Sequence, residues 1–277
     1  MKIVIHANNV DWQREYLPRF SDGFAAHGCR VHHTMMDEAD PEAINVIFAN
    51  NSWKTTMQQC QRRGYPLITV GRCFFGSRFD MVAIGWDDFN GLADFCINDG
   101  DAPSDRWEKH GWNIPFSIRE RAKGKEGGHI LVCGEFRPMG NWYASLREEL
   151  PQDKVRFRPH PFVAGQDVAG WKNAEVVGQD DLHRLLKKAS VCVSFDSISG
   201  CDAVFSGVPS IAYGENSMAR DVSWTSWTQY QAANVIPKME VEDWAHRLAY
   251  CQWSHAEITA GDFWEHLKIR LTEADDS

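Results

Sequence analysis

Several features that would fix the class of this chain at once are missing from it. No apolar run reaches the ~18 residues that a membrane-crossing helix requires, so the sequence contains no candidate span. The first residues, Met1-Lys2-Ile3-Val4-Ile5-His6, turn polar too soon for a secretory leader and read as a strand, which points to a cytoplasmic protein. The eight cysteines are scattered and include no C-x-x-C pair. Zinc sites need ligands clustered at metal spacing, so buried free thiols are expected instead. An excess of positive charge is also lacking: 29 Lys and Arg stand against 38 Asp and Glu, a net charge of -9. That excludes a sequence-independent nucleic-acid coat, whose affinity comes from neutralising phosphates, but leaves room for a local basic groove. No internal repeat or low-complexity tract is present.

What is present fits a soluble globular chain of one large or two small domains. Twelve tryptophans are many for 277 residues; core and interface packing accounts for most, with stacking on sugars or bases as the other use. Short β-rich runs alternate with helical stretches. Lys2–His6, Val31–His33, Ile44–Ala49, Leu67–Val70 and Met81–Ile84 read as strands. Asp11–His27 carries Trp12, Tyr16, Phe20 and Phe24 at a spacing of four and stops at Gly28, which predicts a helix; Ser52–Arg63 predicts another, closed by Gly64. Such alternation argues for a parallel sheet covered on both faces.

Between Ser117 and Gly128 the composition becomes charged, glycine-rich and free of large apolar residues, a linker signature. A second series follows, with strands at His129–Gly134, Val155–Arg158, Glu175–Val177, Ser190–Phe195 and Ser210–Tyr213. Helices are predicted over Asn141–Leu150, Asp180–Lys188 and Ser199–Ser206, and the closing stretch Val241–Leu271 reads as helical. The expected organisation is therefore α/β, with a Rossmann-like domain over residues 1–122, a hinge, and a second Rossmann-like domain over 129–277 that includes the terminal helices. In open parallel sheets ligands lie at the carboxyl ends of the strands, which places the expected site in a cleft between the halves.

Three constellations are candidates for the chemistry. Arg158-Pro159-His160-Pro161 follows a strand directly; its prolines stiffen the turn, and the fixed arginine and histidine can donate to a phosphate, the alternative being a rigid loop with a surface histidine. The stretch Ser194 to Pro209 runs from strand through a small-residue loop to a short helix. Ser197, Ser199 and Gly200 can present hydroxyl and N–H groups to an anion, and Asp202 can accept from ribose hydroxyls, or the serines can simply cap the helix. In the first half, Asp87 and Asp88 follow the strand ending at Ile84-Gly85-Trp86. A carboxylate there is a candidate general base, or one of the ordinary residues of a turn. Asp11, after the Asn8-Asn9 turn, is the reserve candidate.

Taken together, Arg158-Pro159-His160-Pro161 and, about 35 residues on, the Ser-x-x-Gly-x-Asp-Ala-x-x-x-Gly-x-Pro run resemble the capsule polysaccharide biosynthesis glycosyltransferases, the GT-B enzymes that include Kdo transferases. Gly71–Gly91 and the tail from Leu248 to Gly261 are similar to the same group, so the resemblance spans about two-thirds of the chain. It implies a GT-B fold and transfer of a sugar from a nucleotide-sugar donor to an acceptor hydroxyl, with no metal or other cofactor. It implies further that His160 contacts the donor phosphate, that Ser197 and Ser199 sit at the donor phosphate or carboxylate, and that Asp202 stands where many GT-B enzymes have a ribose-binding glutamate. Asp87 or Asp88 falls near the segment that supplies the catalytic carboxylate.

The acceptor implied is a saccharide or glycan. Hydroxymethylated pyrimidines of phage-type DNA are the alternative, with Arg119, Arg121, Lys123 and Lys125 as a possible basic strip and tryptophans for stacking. A non-catalytic nucleotide-sugar-binding protein and a sugar-nucleotide epimerase are two further classes compatible with the same fold.

Overall fold

The structure, a computed structural model, describes residues 1–8, 10–49, 51–76, 80–97, 102–112, 128–136, 139–161, 170–171, 175–177, 181–232 and 238–275. The linker from Ser117 therefore lies outside the described residues, apart from Gly128. In chain order the elements are β1 Lys2–His6, α1 Asp11–Ala26, β2 Arg30–Thr34, β3 Ile44–Phe48, α2 Lys54–Arg63, β4 Leu67–Arg72, β5 Met81–Trp86 and α3 Asp105–Lys109. Then come β6 His129–Cys133, α4 Gly140–Glu149, β7 Val155–Arg158, β8 Glu175–Val176, α5 Leu182–Leu186, β9 Ala189–Ser194, α6 Ser199–Phe205, β10 Ser210–Ala212 and α7 Trp227–Ala232. The chain closes with α8 Lys238–Cys251, β11 Gln252–Ser254, α9 His255–Ala260, α10 Asp262–Leu267 and α11 Ile269–Asp275. No helix among the described residues is long and apolar enough to cross a membrane. All eight cysteines are free thiols, six of them buried.

The chain divides into two compact units, one of Met1–Lys109 with His246–Ser277, the other of His110–Ala245. The first unit holds a six-stranded sheet in the order β11-β5-β4-β3-β1-β2. Strands β1 to β4 are mutually parallel, as expected, but β5 runs antiparallel to both β4 and β11. Residues alternate across the pleat: Ile3, Ile5, Val46, Phe48, Ile68 and Val70 join the main apolar cluster with Tyr16, Phe20 and Phe24 of α1. On the opposite face Ile47 and Leu67 pack with Trp53 and Cys60 of the α2 region.

The tail departs from the sequence expectation twice. It is not continuously helical, because Gln252–Ser254 forms β11 and pairs with Ala83, Val82 and Met81 of β5. It also belongs with the first unit, whereas the sequence assigned it to the second. The reason is close packing on α1. A Cβ at Gly23 would stand 2.0 Å from the Ile258 carbonyl oxygen, so only glycine lets α1 and α9 approach this far. Phe263 then meets the rings of Phe20 and Phe24 at 5.2 and 5.0 Å, and Trp86 Nε1 donates to the Leu267 carbonyl at 3.0 Å. The buried Arg106 guanidinium of α3 ties the tail down. It donates to the carbonyls of Ala249 and Gln252 and to the Glu257 carboxylate at 2.7 Å, and it lies 3.9 Å from the centre of the Trp253 ring.

The second unit holds a five-stranded, wholly parallel sheet in the order β10-β9-β6-β7-β8. Ile130, Val132, Val191 and Val193 face a cluster with Tyr143 and Leu146 of α4, while Leu131, Cys133 and Cys192 face Leu185 and Leu186 of α5 and Ala203 of α6. Both faces are thus covered, as a parallel sheet requires. Within this sheet the connection reverses between β6 and β9, the arrangement that opens a crevice at the carboxyl ends of doubly wound sheets.

Candidate active site

Four loops leave the carboxyl edge of the second sheet, after β6, β7, β9 and β10, and each brings polar groups. Glu135 follows β6 and is buried, with its Oε1 accepting from the backbone N–H of Phe195 at 2.9 Å and of Ser197 at 3.2 Å. The backbone N–H of Glu135 itself donates to the Tyr143 hydroxyl at 2.9 Å. Burial is the main force pushing the Glu135 carboxyl up, to about 7, and the neighbouring Asp196 charge adds to it. Glu135 thereby knits the loops on the two sides of the β6/β9 reversal together. Gly214 is glycine for a related reason: a Cβ there would stand 1.8 Å from Asp196 Oδ1, so the Asp196 side chain packs flat on the chain after β10.

Arg158 ends β7, opposite Cys133, and the Gly134 N–H donates to its carbonyl at 2.7 Å. His160, two residues on, is half-buried and meets Phe136 edge-on at 5.4 Å. His160, Phe136, Glu135 and Ser197 therefore form one connected series along the strand ends. After β10, Arg220 Nη1 donates to the carbonyls of Tyr213 and Gly214 at 3.2 and 3.1 Å, a second cation on this edge that sequence reading missed. Trp142, in the first turn of α4, packs on Phe195 at 5.3 Å and on Tyr213 at 5.9 Å, giving the edge an aromatic side.

The serine motif is arranged differently from expectation. Ser197 stands one residue before Ile198, the N-cap of α6; its Oγ accepts from the Ser199 N–H at 3.3 Å and its carbonyl from the Gly200 N–H at 3.1 Å. The N–H groups assigned to an anion are thus engaged within the turn. Ser199 is buried, with its hydroxyl beside the Cys133 thiol. Gly200 faces inward too, since a Cβ there would meet Ala219 at 3.0 Å and Ser194 Oγ at 3.1 Å; it is glycine for helix-on-sheet packing. Asp202 is only 8% exposed. The reason is common to all three: α6 packs on β9 and β10 and is buried almost all round, from Ser199 to Val204.

In the first unit the order β2-β1-β3 puts the corresponding reversal between β1 and β3. The loops there are joined by Asn8 Nδ2 donating to Ser52 Oγ at 2.7 Å, and the Asn8 N–H donates to Gln13 Oε1 at 2.7 Å. Asp11 opens α1 at this edge, fully exposed, with Arg14 Nη2 at 2.8 Å. Trp12 beside it is partly exposed and packs edge-on against Phe48 at the end of β3.

Asp87 and Asp88 are elsewhere. Because β5 is antiparallel, its end meets the beginning of β4: Trp86 pairs with Ile68, and the Asp87 N–H donates to the Leu67 carbonyl at 2.8 Å. Both residues therefore lie at the amino edge of the parallel strands, opposite the edge on which the base argument placed them. Asp87, with φ of 70°, holds Arg270 at 2.6 Å, and Asp88 accepts from the Phe89 N–H at 2.7 Å. These are turn-forming and tail-anchoring roles. Among the described residues no cluster of histidine, cysteine and carboxylate side chains is arranged to hold a metal ion.

No protein-family model matches the sequence, and no curated protein sequence matches it significantly. Solved structures do. The KpsC beta Kdo 2,4 transferase of Thermosulfurimonas dismutans superposes with a TM-score of 0.52 at 13% identity, over 88% of this chain and 90% of that one. The beta Kdo 2,7 transferase of the same organism's KpsC gives 0.50 at 12% identity, over 97% and 99%. Likeness at this identity speaks for the fold alone, and it is the α/β fold of the GT-B glycosyltransferases.

Proposed function

We propose that the protein is a glycosyltransferase that takes a sugar from a nucleotide-sugar donor and places it on the hydroxyl of a saccharide acceptor. The observation that carries the reading is the carboxyl edge of the second sheet, where Arg158 and His160 follow β7, Ser197 follows β9 and Arg220 lies beyond β10, beside an aromatic side. A nucleotide sugar offers matching chemistry: a base for the aromatic side, and phosphate oxygens for the cations and the Ser197 hydroxyl. In the reaction the acceptor oxygen bonds to the anomeric carbon as the bond from that carbon to the phosphate oxygen breaks. The electron pair leaves with the nucleotide, and Arg158 and His160 stabilise the developing charge without a metal. The acceptor proton passes to a base, because a sugar hydroxyl is a poor nucleophile until that proton is taken. In this reading the base is Asp11, a carboxylate exposed where the strand order of the first sheet reverses. The fold shared with the KpsC transferases supports the reaction class.

The test is incubation with a panel of nucleotide sugars, with and without saccharide acceptors, read by mass spectrometry of released nucleotide and product. Wild type releases nucleotide and His160→Ala does so on the order of 10- to 100-fold less efficiently, the loss of one charge-assisted bond of about 1.5–3 kcal/mol. A folded His160→Ala protein with unchanged turnover and donor affinity would remove the phosphate role. Donor consumed without acceptor, giving an isomeric sugar, would mark an epimerase.

A further inference from the structure

The aromatic stripe of α1 runs through Trp12, Tyr16, Phe20 and Phe24. The last three are buried in the core of the first unit, while Trp12 is 37% exposed. Position explains the difference. α1 begins at Asp11, at the carboxyl edge of the sheet, so the first rung of the stripe reaches beyond the strands that cover the rest. Trp12 meets Phe48, the last residue of β3, at 5.3 Å and 80°, and Tyr16 at 6.3 Å and 73°. Both contacts are edge-on, so the indole is held in two places and neither ring is stacked flat on it. The turn before it is fixed as well. The Asn8 N–H donates to Oε1 of the fully buried Gln13 at 2.7 Å, and Asn8 Nδ2 donates to Ser52 Oγ at 2.7 Å across the β1/β3 reversal. The exposed Val10 and the Asp11 carboxylate precede the indole in the chain. A fixed indole beside amide, hydroxyl and carboxylate groups matches a sugar ring, which carries C–H groups on one face and hydroxyls around its rim.

We propose that Trp12 is the platform of a saccharide subsite in the first unit, stacking on the C–H face of a pyranose whose hydroxyls lie toward Asn8, Ser52 and Asp11. The rings best suited have several C–H bonds on one face, as β-galactosides and β-glucosides do, because such a face lies flat on an aromatic surface. On the proposed reaction, on which this part of the assignment rests, that sugar is the acceptor, and Trp12 is the specificity-determining residue that sets its orientation to Asp11. A nucleobase would stack on an indole too. The cations that suit a nucleotide's phosphates, however, are Arg158, His160 and Arg220 of the second sheet, whereas Arg14, the cation nearest Trp12 in the chain, is paired with Asp11.

Fluorine NMR of the full chain labelled with 5-fluorotryptophan tests this with no donor present. The Trp12 signal is the one lost in Trp12→Phe. Methyl β-galactoside, methyl β-glucoside or lactose shifts that signal in wild type, and saturation transfer from the protein is strongest at the C–H protons of one sugar face. Trp12→Phe keeps an aromatic surface and binds the same sugar within about threefold of wild type. Trp12→Leu keeps apolar volume against Phe48 and Tyr16 but has no π face, and binds on the order of 3- to 10-fold more weakly. No response of the Trp12 signal to any of the three sugars, or equal affinity of wild type and Trp12→Leu, overturns the proposal. So does a response to UMP or CMP with none to the sugars. Sugar binding at Trp12 without transfer in the nucleotide-sugar assay removes the reaction and leaves the platform; transfer without a Trp12 response does the reverse.

Discussion

Replacing Glu135 with glutamine should stabilise the protein above neutrality and do little in acid. Glu135 is 8% exposed, and its carboxyl is pushed from 4.5 to about 7, mainly by burial. A carboxyl raised on folding is protonated in the native chain while the unfolded chain has already ionised. The unfolded state then binds fewer protons, and stability falls as pH rises through that window. The two values lie about 2.5 pH units apart, which at about 1.4 kcal/mol per unit is on the order of 3 kcal/mol lost by pH 7 and not recovered above it. Glutamine is nearly isosteric, keeps the acceptor for Phe195 and Ser197, and does not ionise. Urea unfolding of both proteins at pH 5 and pH 8 therefore gives a gap in the variant's favour that grows by about 2–3 kcal/mol between the two conditions. Comparing the same pair of proteins at each pH cancels every other titrating group. If the variant is less stable by the same amount at both values, the native carboxylate is ionised and stabilised by its N–H donors. The assignment of a protonated Glu135 would then be wrong.

Glu257 should behave in the opposite sense: burial opposes its charge, but the Ser254 N–H and the Arg106 guanidinium outweigh it and hold the carboxyl at about 2. A depressed carboxyl stabilises above its unfolded value and loses that contribution as pH falls from about 4.5 towards 2, so Glu257→Gln should flatten the acid limb of the stability curve measured by circular dichroism. Arg106→Ala leaves Glu257 buried without its main cation and should cost about 3–5 kcal/mol in urea unfolding, with α9 and α10 losing protection in hydrogen exchange. Gly23→Ala must displace the Ile258 carbonyl and should cost about 1–3 kcal/mol, read as a lower Tm; an unchanged Tm would refute the close approach of α1 and α9. Asp11→Asn should lower turnover by about 10²–10⁴-fold with donor affinity unchanged, while Asp87→Asn leaves turnover intact and loosens Arg270; the reverse pattern would return the base to the β5 turn.

The sequence by itself determined what depends on neighbours in the chain. The aromatic spacing of Trp12, Tyr16, Phe20 and Phe24 is a local periodicity, and α1 spans Asp11–Ala26. Alternating apolar runs gave every strand of the second sheet, and the proline-flanked turn at Arg158 and His160 stands at a strand's carboxyl end where the sequence put it. What the sequence left undetermined depends on partners far away in the chain. The direction of β5 is set by pairing with β4 and β11, and an apolar strand reads alike in either direction, so Asp87 and Asp88 moved to the other edge. The tail joined the first unit through Gly23, Phe20 and Arg106, more than a hundred residues upstream of the residues they meet. Asp202 and Ser199 are buried because the tertiary packing encloses nearly the whole of this seven-residue helix, which its own sequence does not reveal. Glu135 carries no motif at all. Its one sequence signal is its position just after the first strand of the second series, and the backbone N–H groups of Phe195 and Ser197, about sixty residues on, reach its carboxyl oxygen only in the tertiary structure.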